Sequence, residues 1–296
     1  MVRIPFDLPQ RLANELIDVN RGDLIGITTL SDPYQPAERT YHITRQVLQI
    51  FADIGQPCLI LTKGVGILED IPLLRRINER SLAIVMTTLL TTDSRLAEKL
   101  EGKAPAPPLR LDMLKTLKQA GIPVGVVIAP LIPYINDTAP ILSGLLRACF
   151  DIGVDFVVWD FLNIPDRSHY GRVNEMVLRI GNYPPSYYRD IYADQPQPNK
   201  TYRAQRNADL IQRCDRLALE IRAPHRLFAG KLRPTNEAAL FLKHIAFRDA
   251  AHGRDYMAGV HRQLATLLYQ QKATHADLQA TPFISTIQEI LERENS

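Results

Sequence analysis

Cysteine is scarce in this 296-residue chain: Cys58, Cys149 and Cys214 are the only three, and they stand far apart. That spacing excludes a zinc knuckle, a CxxC redox pair and a local cluster-binding loop, and leaves a buried structural thiol as the expectation for each. Long apolar runs are also missing. The longest, VGVVIAPLIPYI, contains prolines and falls far short of the ~20 residues needed to cross a bilayer. Charge of one sign is not in excess: the net charge is +3 and the basic residues are scattered, so no phosphate-binding stripe is suggested. Arg3 and Asp7 interrupt the first apolar residues, so no signal peptide is expected and the cytoplasm is the expected location. No pair among the seven histidines has close metal-ligand spacing, and GxGxxG, Walker A, HExxH and GxSxG motifs are absent.

What is present is an alternation of two periods. A helical stripe (Leu8, Leu12, Leu16) precedes the apolar run LIGITTL at 24–30. A helix carrying Ile43, Val47, Ile50, Phe51 and Ile54 ends at Gly55-Gln56-Pro57, and strand 58–62 follows. Further strands are expected at 82–88, 124–129 and 154–159, separated by helices around Ile71–Ile77, after Asp93, around Leu111–Leu117 and from Thr138. Short unalternating apolar strands between helices imply βαβ units and a parallel sheet covered on both faces. After Trp159 the rhythm stops in a tract rich in tyrosine and proline. Helices are expected again at 204–221, 236–249, 254–271 and 284–293. The division read from this is an α/β unit at 1–165 and a mainly helical extension at 166–296, packed on or across the sheet.

In parallel α/β folds ligands bind at the carboxyl ends of the strands, and the unusual polar residues gather there. They are Ser31 to Glu38, Thr62-Lys63-Gly64, Thr87-Thr88, Pro130 to Asp137 and Asp160 to Asn163. Asp32, Asp137 and Asp160 are candidate acids, bases or ligand anchors. Asp32-Pro33 equally makes an Asx turn, and Asn136-Asp137 a helix cap. Lys63 is either an anion contact or a solvated lysine.

Three runs carry a resemblance: SDPYQPAERTYHITRQVLQIF, PCLILTKGVGILEDIPLL, and the stretch from MTTLLTTDSRLAEKLEGKAPAPPLR to AGIPVGVVIAPLIPYIND. In order and spacing, from about residue 3 to 160, they resemble radical SAM proteins related to spore photoproduct lyase, which are DNA repair photolyase-like. The resemblance implies a partial (β/α) barrel of the radical SAM type. It also implies S-adenosylmethionine and a [4Fe–4S] cluster as cofactors, with cleavage of the former to a 5′-deoxyadenosyl radical for hydrogen abstraction. Carried over residue by residue, Asp32, Tyr34, Gln35 and Glu38 would line the cofactor side of the barrel top. Thr87 and Thr88 would contact the methionine carboxylate or ribose, and Lys63 a substrate or cofactor carboxylate. Pro130, Asn136 and Asp137 would shape the adenosine pocket.

The chain departs from that pattern at its start. VRIPFDLPQRLANEL resembles the segment that follows the family's CxxxCxxC loop, so the first barrel strand and the three cluster thiolates are expected to be missing. No metal ligand can be named. Ser31 replaces a threonine, Glu69-Asp70 replaces an arginine–aspartate pair, and FLNIP follows Asp160 where an arginine–leucine–proline is usual. Three readings follow: the truncated or split remainder of a radical SAM enzyme, inactive alone; a non-catalytic binding half-barrel, or one completed by a separate cysteine-bearing chain; and a structural relic. The substrate is unreadable, nucleic acid is unsupported as a partner, and no membrane association is expected.

Overall fold

A computed structural model describes residues 5–19, 22–27, 31–181, 185–193 and 195–293. Helix α1 (Leu8–Glu15) is followed by strand β1 (Ile25–Ile27), then by α2 (Glu38–Tyr41), α3 (Ile43–Ile54) and β2 (Cys58–Leu61). A 3-10 turn (Val65–Asp70) and α4 (Ile71–Arg80) lead to β3 (Ala83–Thr88). Helices α5 (Ser94–Glu101) and α6 (Pro107–Gln119) lead to β4 (Val124–Leu131), and α7 (Ala139–Ile152) to β5 (Phe156–Phe161). The strands lie in sequence order, all parallel, in one five-stranded sheet. Parallel neighbours need a crossover, and helices fill every gap, as in a partial α/β barrel. Strand β1 is described over Ile25–Ile27, and positions 28–30 of the apolar run that announces it lie outside the described residues.

Local chemistry explains the element ends. In α3 the residues Val47, Leu48, Phe51 and Ala52 are buried along one stripe, and each large side chain among them contributes about 2–3 kcal/mol. Gly55 ends that helix at φ +73°, a left-handed conformation that suits glycine. Asp93 starts α5 by accepting from the backbone of Arg95 and Leu96. Asp155, nearly buried, accepts from the Lys118 ammonium at 2.9 Å and from the Val124 amide at 2.9 Å, tying α6 to the start of β4.

Alternation along the strands makes two faces. Cys58, Ile60, Val85, Val124, Val126 and Val157 point to the helix layer and join the main core. Leu59, Ile84, Met86, Phe156 and Val158 point to the other face, where Phe228 and Leu232 of the extension cover them.

The extension contains α8 (Arg167–Gly181), α9 (Pro185–Tyr192), α10 (Lys200–Arg216), α11 (His225–Phe228), α12 (Pro234–Ala251), α13 (Asp255–Tyr269), α14 (His275–Leu278) and α15 (Ile284–Glu292). Helices α8 and α9 occupy part of the tract in which no period was expected. The stripe Val173, Met176, Val177 and Ile180 does recur at helical spacing and packs on the main core. Helices α12, α13 and α15 share a smaller core of their own built on Leu242, Leu264, Leu268 and Ile287. On the far edge of the sheet the Val157 amide donates to Glu220 at 2.8 Å, so β5 is partly covered, whereas β1 pairs only with β2 among the described residues. No helix among those residues is long and apolar enough to cross a membrane.

Candidate functional site

A cavity of about 760 Å³ opens at the carboxyl ends of β1 to β4, above the apolar cover on the inner face. Its floor is Leu61, Thr88, Val127 and Ala129, all on the inner-face parity of their strands. Asp32, Tyr34, Gln35, Glu38, Lys63 and Thr88, six residues singled out in the sequence, line it.

Asp32 organises the first wall. Its carboxylate accepts the Tyr34 amide at 2.9 Å, the Thr62 hydroxyl at 2.5 Å and the Lys63 amide at 2.7 Å. The Asx turn expected from Asp32-Pro33 is present, and the same side chain also joins the ends of β1 and β2. Thr62 in turn accepts the Gly64 amide at 2.9 Å. A side chain at Gly64 would place Cβ 2.6 Å from Cβ of Tyr34, so only glycine permits this approach.

Tyr34 donates to Asp70 at 2.8 Å, and Arg45 donates to the other oxygen of Asp70 at 2.6 Å. Burial, reinforced by Asp70, pushes the Tyr34 phenol well above its ordinary range, so it stays a donor. The hydrogen bond to Asp70 raises the Arg45 guanidinium further. Glu38 accepts the Arg45 amide at 3.0 Å, and Thr44 donates to the Pro33 carbonyl at 2.8 Å. The motif is therefore lashed to α3 and to the 3-10 turn by its own polar groups.

The second wall rests on a pair that motif reading missed. Arg110, fully buried on α6, binds both oxygens of Glu101 at 3.0 and 2.6 Å and donates to the Thr88 carbonyl at 2.7 Å. Lys63 reaches the same carboxylate at 3.0 Å. A signal for Arg110 existed: it stands at the i, i+3, i+4, i+7 spacing of Met113, Leu114 and Leu117, on the apolar stripe where a charge needs a partner.

Five sequence candidates, Thr87, Pro130, Asn136, Asp137 and Asp160, lie outside the cavity lining, and Asp160 accepts the Phe161 amide at 2.8 Å. Thr87 points by alternation to the helix layer, and its buried hydroxyl has no hydrogen-bond partner among the described residues. The loop after β4 closes on itself. Asn136 accepts the Ile132 amide at 2.6 Å and donates to the Pro130 carbonyl at 3.0 Å, and Asp137 accepts the Tyr134 amide at 2.7 Å. Asp137 also accepts from the Tyr202 hydroxyl and lies 3.7 Å from Arg206, both on α10. Thr138 stands at the cap position of α7, so Asn136-Asp137 does not cap that helix. Burial raises the Asp137 carboxyl above its ordinary range, with the Tyr202 hydrogen bond pulling the other way.

The three thiols are buried, on β2, α7 and α10, and desolvation pushes each up to about 12, with Cys214 close enough to Cys149 to add to the rise there. Cluster ligands must be thiolates. Three thiols buried on different elements, none of them lining the cavity, do not make a ligand set that fits a [4Fe–4S] group there. No group of three or more His, Cys, Asp or Glu is placed to hold a metal ion among the described residues.

Comparison with known proteins gives similarity without an activity. No family model matches the chain. It is 30% identical over 146 residues to an uncharacterized protein of Acidianus two-tailed virus, covering 48% of this chain and 47% of that one. Over 191 residues it is 30% identical to an uncharacterized protein of Mycobacterium tuberculosis, covering 60% and 56%. An uncharacterized protein of Methanocaldococcus jannaschii is 27% identical over 186 residues, covering 63% and 65%. The chain thus spans about half the length of the first two relatives, at 47% and 56%.

Proposed function

We propose that this chain is a binding half-barrel of the radical SAM type. It takes a small adenosine-bearing molecule, S-adenosylmethionine in the first instance, at the carboxyl ends of its strands and does not itself hold an iron–sulfur cluster. The observation that carries this reading is the cavity walled by the DPYQP and TKG segments, the same stretches that resemble the family. Its volume is that of a small-molecule site, and its floor offers apolar contact to a purine beneath polar walls. S-adenosylmethionine would supply a purine, a sulfonium, an amino group and a carboxylate. On this chain Leu61 and Val127 would contact the ring, and Lys63 would meet the carboxylate. Where cluster chemistry is used, its thiolates come from a cysteine-bearing segment or partner chain outside the described residues, and no step is assigned to the three thiols here.

Calorimetric titration of the purified chain with S-adenosylmethionine, without iron, tests the reading. Saturable binding with a Kd on the order of 0.1–1 mM is expected, because the cavity is preformed but lacks the anchor a cluster would add. Absence of saturable binding for every adenosine-bearing compound tried would overturn it.

A further inference from the structure

The sheet has a hollow at its other end as well. A cleft of about 480 Å³ lies at the amino ends of β1 to β3, on the seam between the α/β unit and the extension. Gly22, Ile54, Gly55, Arg80 and Ser81 line it from the α/β unit, and positions 230–234, which lead from α11 into α12, line it from the extension. The two sides meet where the Arg233 amide donates to the Gly22 carbonyl at 3.0 Å. A side chain at Gly22 would run into the backbone of Arg233, so the seam closes only on glycine.

Charge around the cleft is of one sign. Arg80, Lys231 and Arg233 line it, and no acidic residue does so among the described residues. Arg80 is exposed and makes no ion pair among those residues. Its Nη1 is steered by the carbonyls of Ala52 and Asp53, which accept from it at 3.3 and 2.5 Å. Lys231 is half-buried, with no ion pair or side-chain hydrogen bond among the described residues. The carboxylates of the surrounding elements are taken. Asp53 accepts from Gln49 at 2.9 Å and from Arg76 at 2.7 Å, which hold its carboxyl below the ordinary range, and Arg80 adds least to that. Asp23 accepts from Asn236, and Glu237 is shared by His225, the Gly230 amide and Arg293, at 2.7, 2.7 and 3.0 Å.

We propose that this seam binds a phosphate-bearing small molecule, with Arg80 of the α/β unit and Lys231 of the extension sharing the phosphate oxygens. A cleft with cations and no counter-charge concentrates anions. The donors come from two sides, a guanidinium fork and an ammonium. A tetrahedral phosphate offers oxygens in both directions, whereas a planar carboxylate offers one edge. Because the ligand touches both parts of the chain, its binding also holds the extension against the sheet. No residue that lines this cleft lines the cavity at the carboxyl ends of the strands, so the two sites stand or fall separately.

The test is calorimetric titration of the whole chain at low salt with inorganic pyrophosphate and, for comparison, the dicarboxylate malonate. Pyrophosphate should bind saturably, about tenfold tighter than malonate, and should raise the melting temperature. Lys231→Gln should weaken pyrophosphate about tenfold and leave the melting temperature of the unliganded chain unchanged, since that side chain has no partner to lose among the described residues. Arg80→Gln should weaken it as much. Arg80 also steers the end of α3, so Lys231→Gln decides the matter if the Arg80 variant fails to fold. Hydrogen exchange at positions 230–234 should slow when pyrophosphate is added. No saturable binding, malonate binding as tight as pyrophosphate, binding that survives Lys231→Gln, or unchanged exchange at those positions overturns the proposal. If S-adenosylmethionine fails to bind while pyrophosphate binds in a Lys231-dependent way, the seam site stands and the adenosine reading falls.

Discussion

The loops after β1 and after β4 lie at the same end of the same sheet and are about equally rich in aspartate, proline and amides. They dispose of those groups differently. Residues 31–45 satisfy Asp32 and Tyr34 through their own neighbours and the 3-10 turn, which leaves Gln35, Glu38 and Arg39 lining open space. Residues 130–137 are satisfied by the loop itself and by tyrosines of the extension: Tyr188 donates to the Pro133 carbonyl at 2.6 Å, and Tyr202 to Asp137. One loop makes a cavity wall and the other a clamp. Polarity at a strand end measures a need for hydrogen bonds, and the surrounding packing decides what meets it.

The largest effect expected from disturbing this contrast is on the cavity side. Arg110→Met removes one partner of a buried pair and should cost about 3–5 kcal/mol in urea denaturation. A cost below about 1 kcal/mol would show that the Glu101 wall is not held as described. On the clamp side, Tyr202→Phe deletes the donor to a buried carboxylate and should cost about 1–3 kcal/mol. It should also raise amide exchange in α10 more than in β2, and uniform exchange would show that the clamp does not hold the extension.

The clamp should also have a pH signature. Burial holds the Asp137 carboxyl above its ordinary value, so the folded chain binds that proton more firmly than the unfolded chain does. Its contribution is then fully present below the unfolded value of about 4 and is lost as pH rises through the higher folded value. Asp137→Asn, compared with the parent by denaturation from pH 4 to 7, should remove that part of the slope. An unchanged slope would assign it to other groups. The smallest effect belongs to Thr87, whose buried hydroxyl has no partner among the described residues. Thr87→Val should stabilise by up to about 1 kcal/mol in the same assay, and a loss would reveal a hydrogen bond at that position.

Much of the architecture was legible before any coordinates. Apolar runs at 58–62, 82–88 and 124–129 became β2, β3 and β4 within a few residues, because strands covered on both faces need continuous apolar sequence. Helix α8 was less legible: its stripe of Val173, Met176, Val177 and Ile180 runs directly into the tract of prolines and tyrosines that dominates the region. Of the site, Asp32, Tyr34, Gln35, Glu38, Lys63 and Thr88 could be grouped by their place at strand ends. Glu101 and Arg110 could not, since they lie on helices rather than at strand ends and meet across nine positions and an intervening loop, although both fall in the run that carries the resemblance.

Sequence alone determined the alternation of strand and helix, the parallel order it forces and the scarcity of cysteine, since each follows from periodicity or from counting residues. Only the tertiary structure decided which polar strand ends face a cavity and which are closed by the extension. It also decided that two buried cores cover the two faces of the sheet, and that a buried Arg–Glu pair stands behind Lys63. The physical reason is common to all three: a hydrogen bond or an ion pair is a distance, and residues as far apart as Asp137 and Tyr202 have none until the chain has packed.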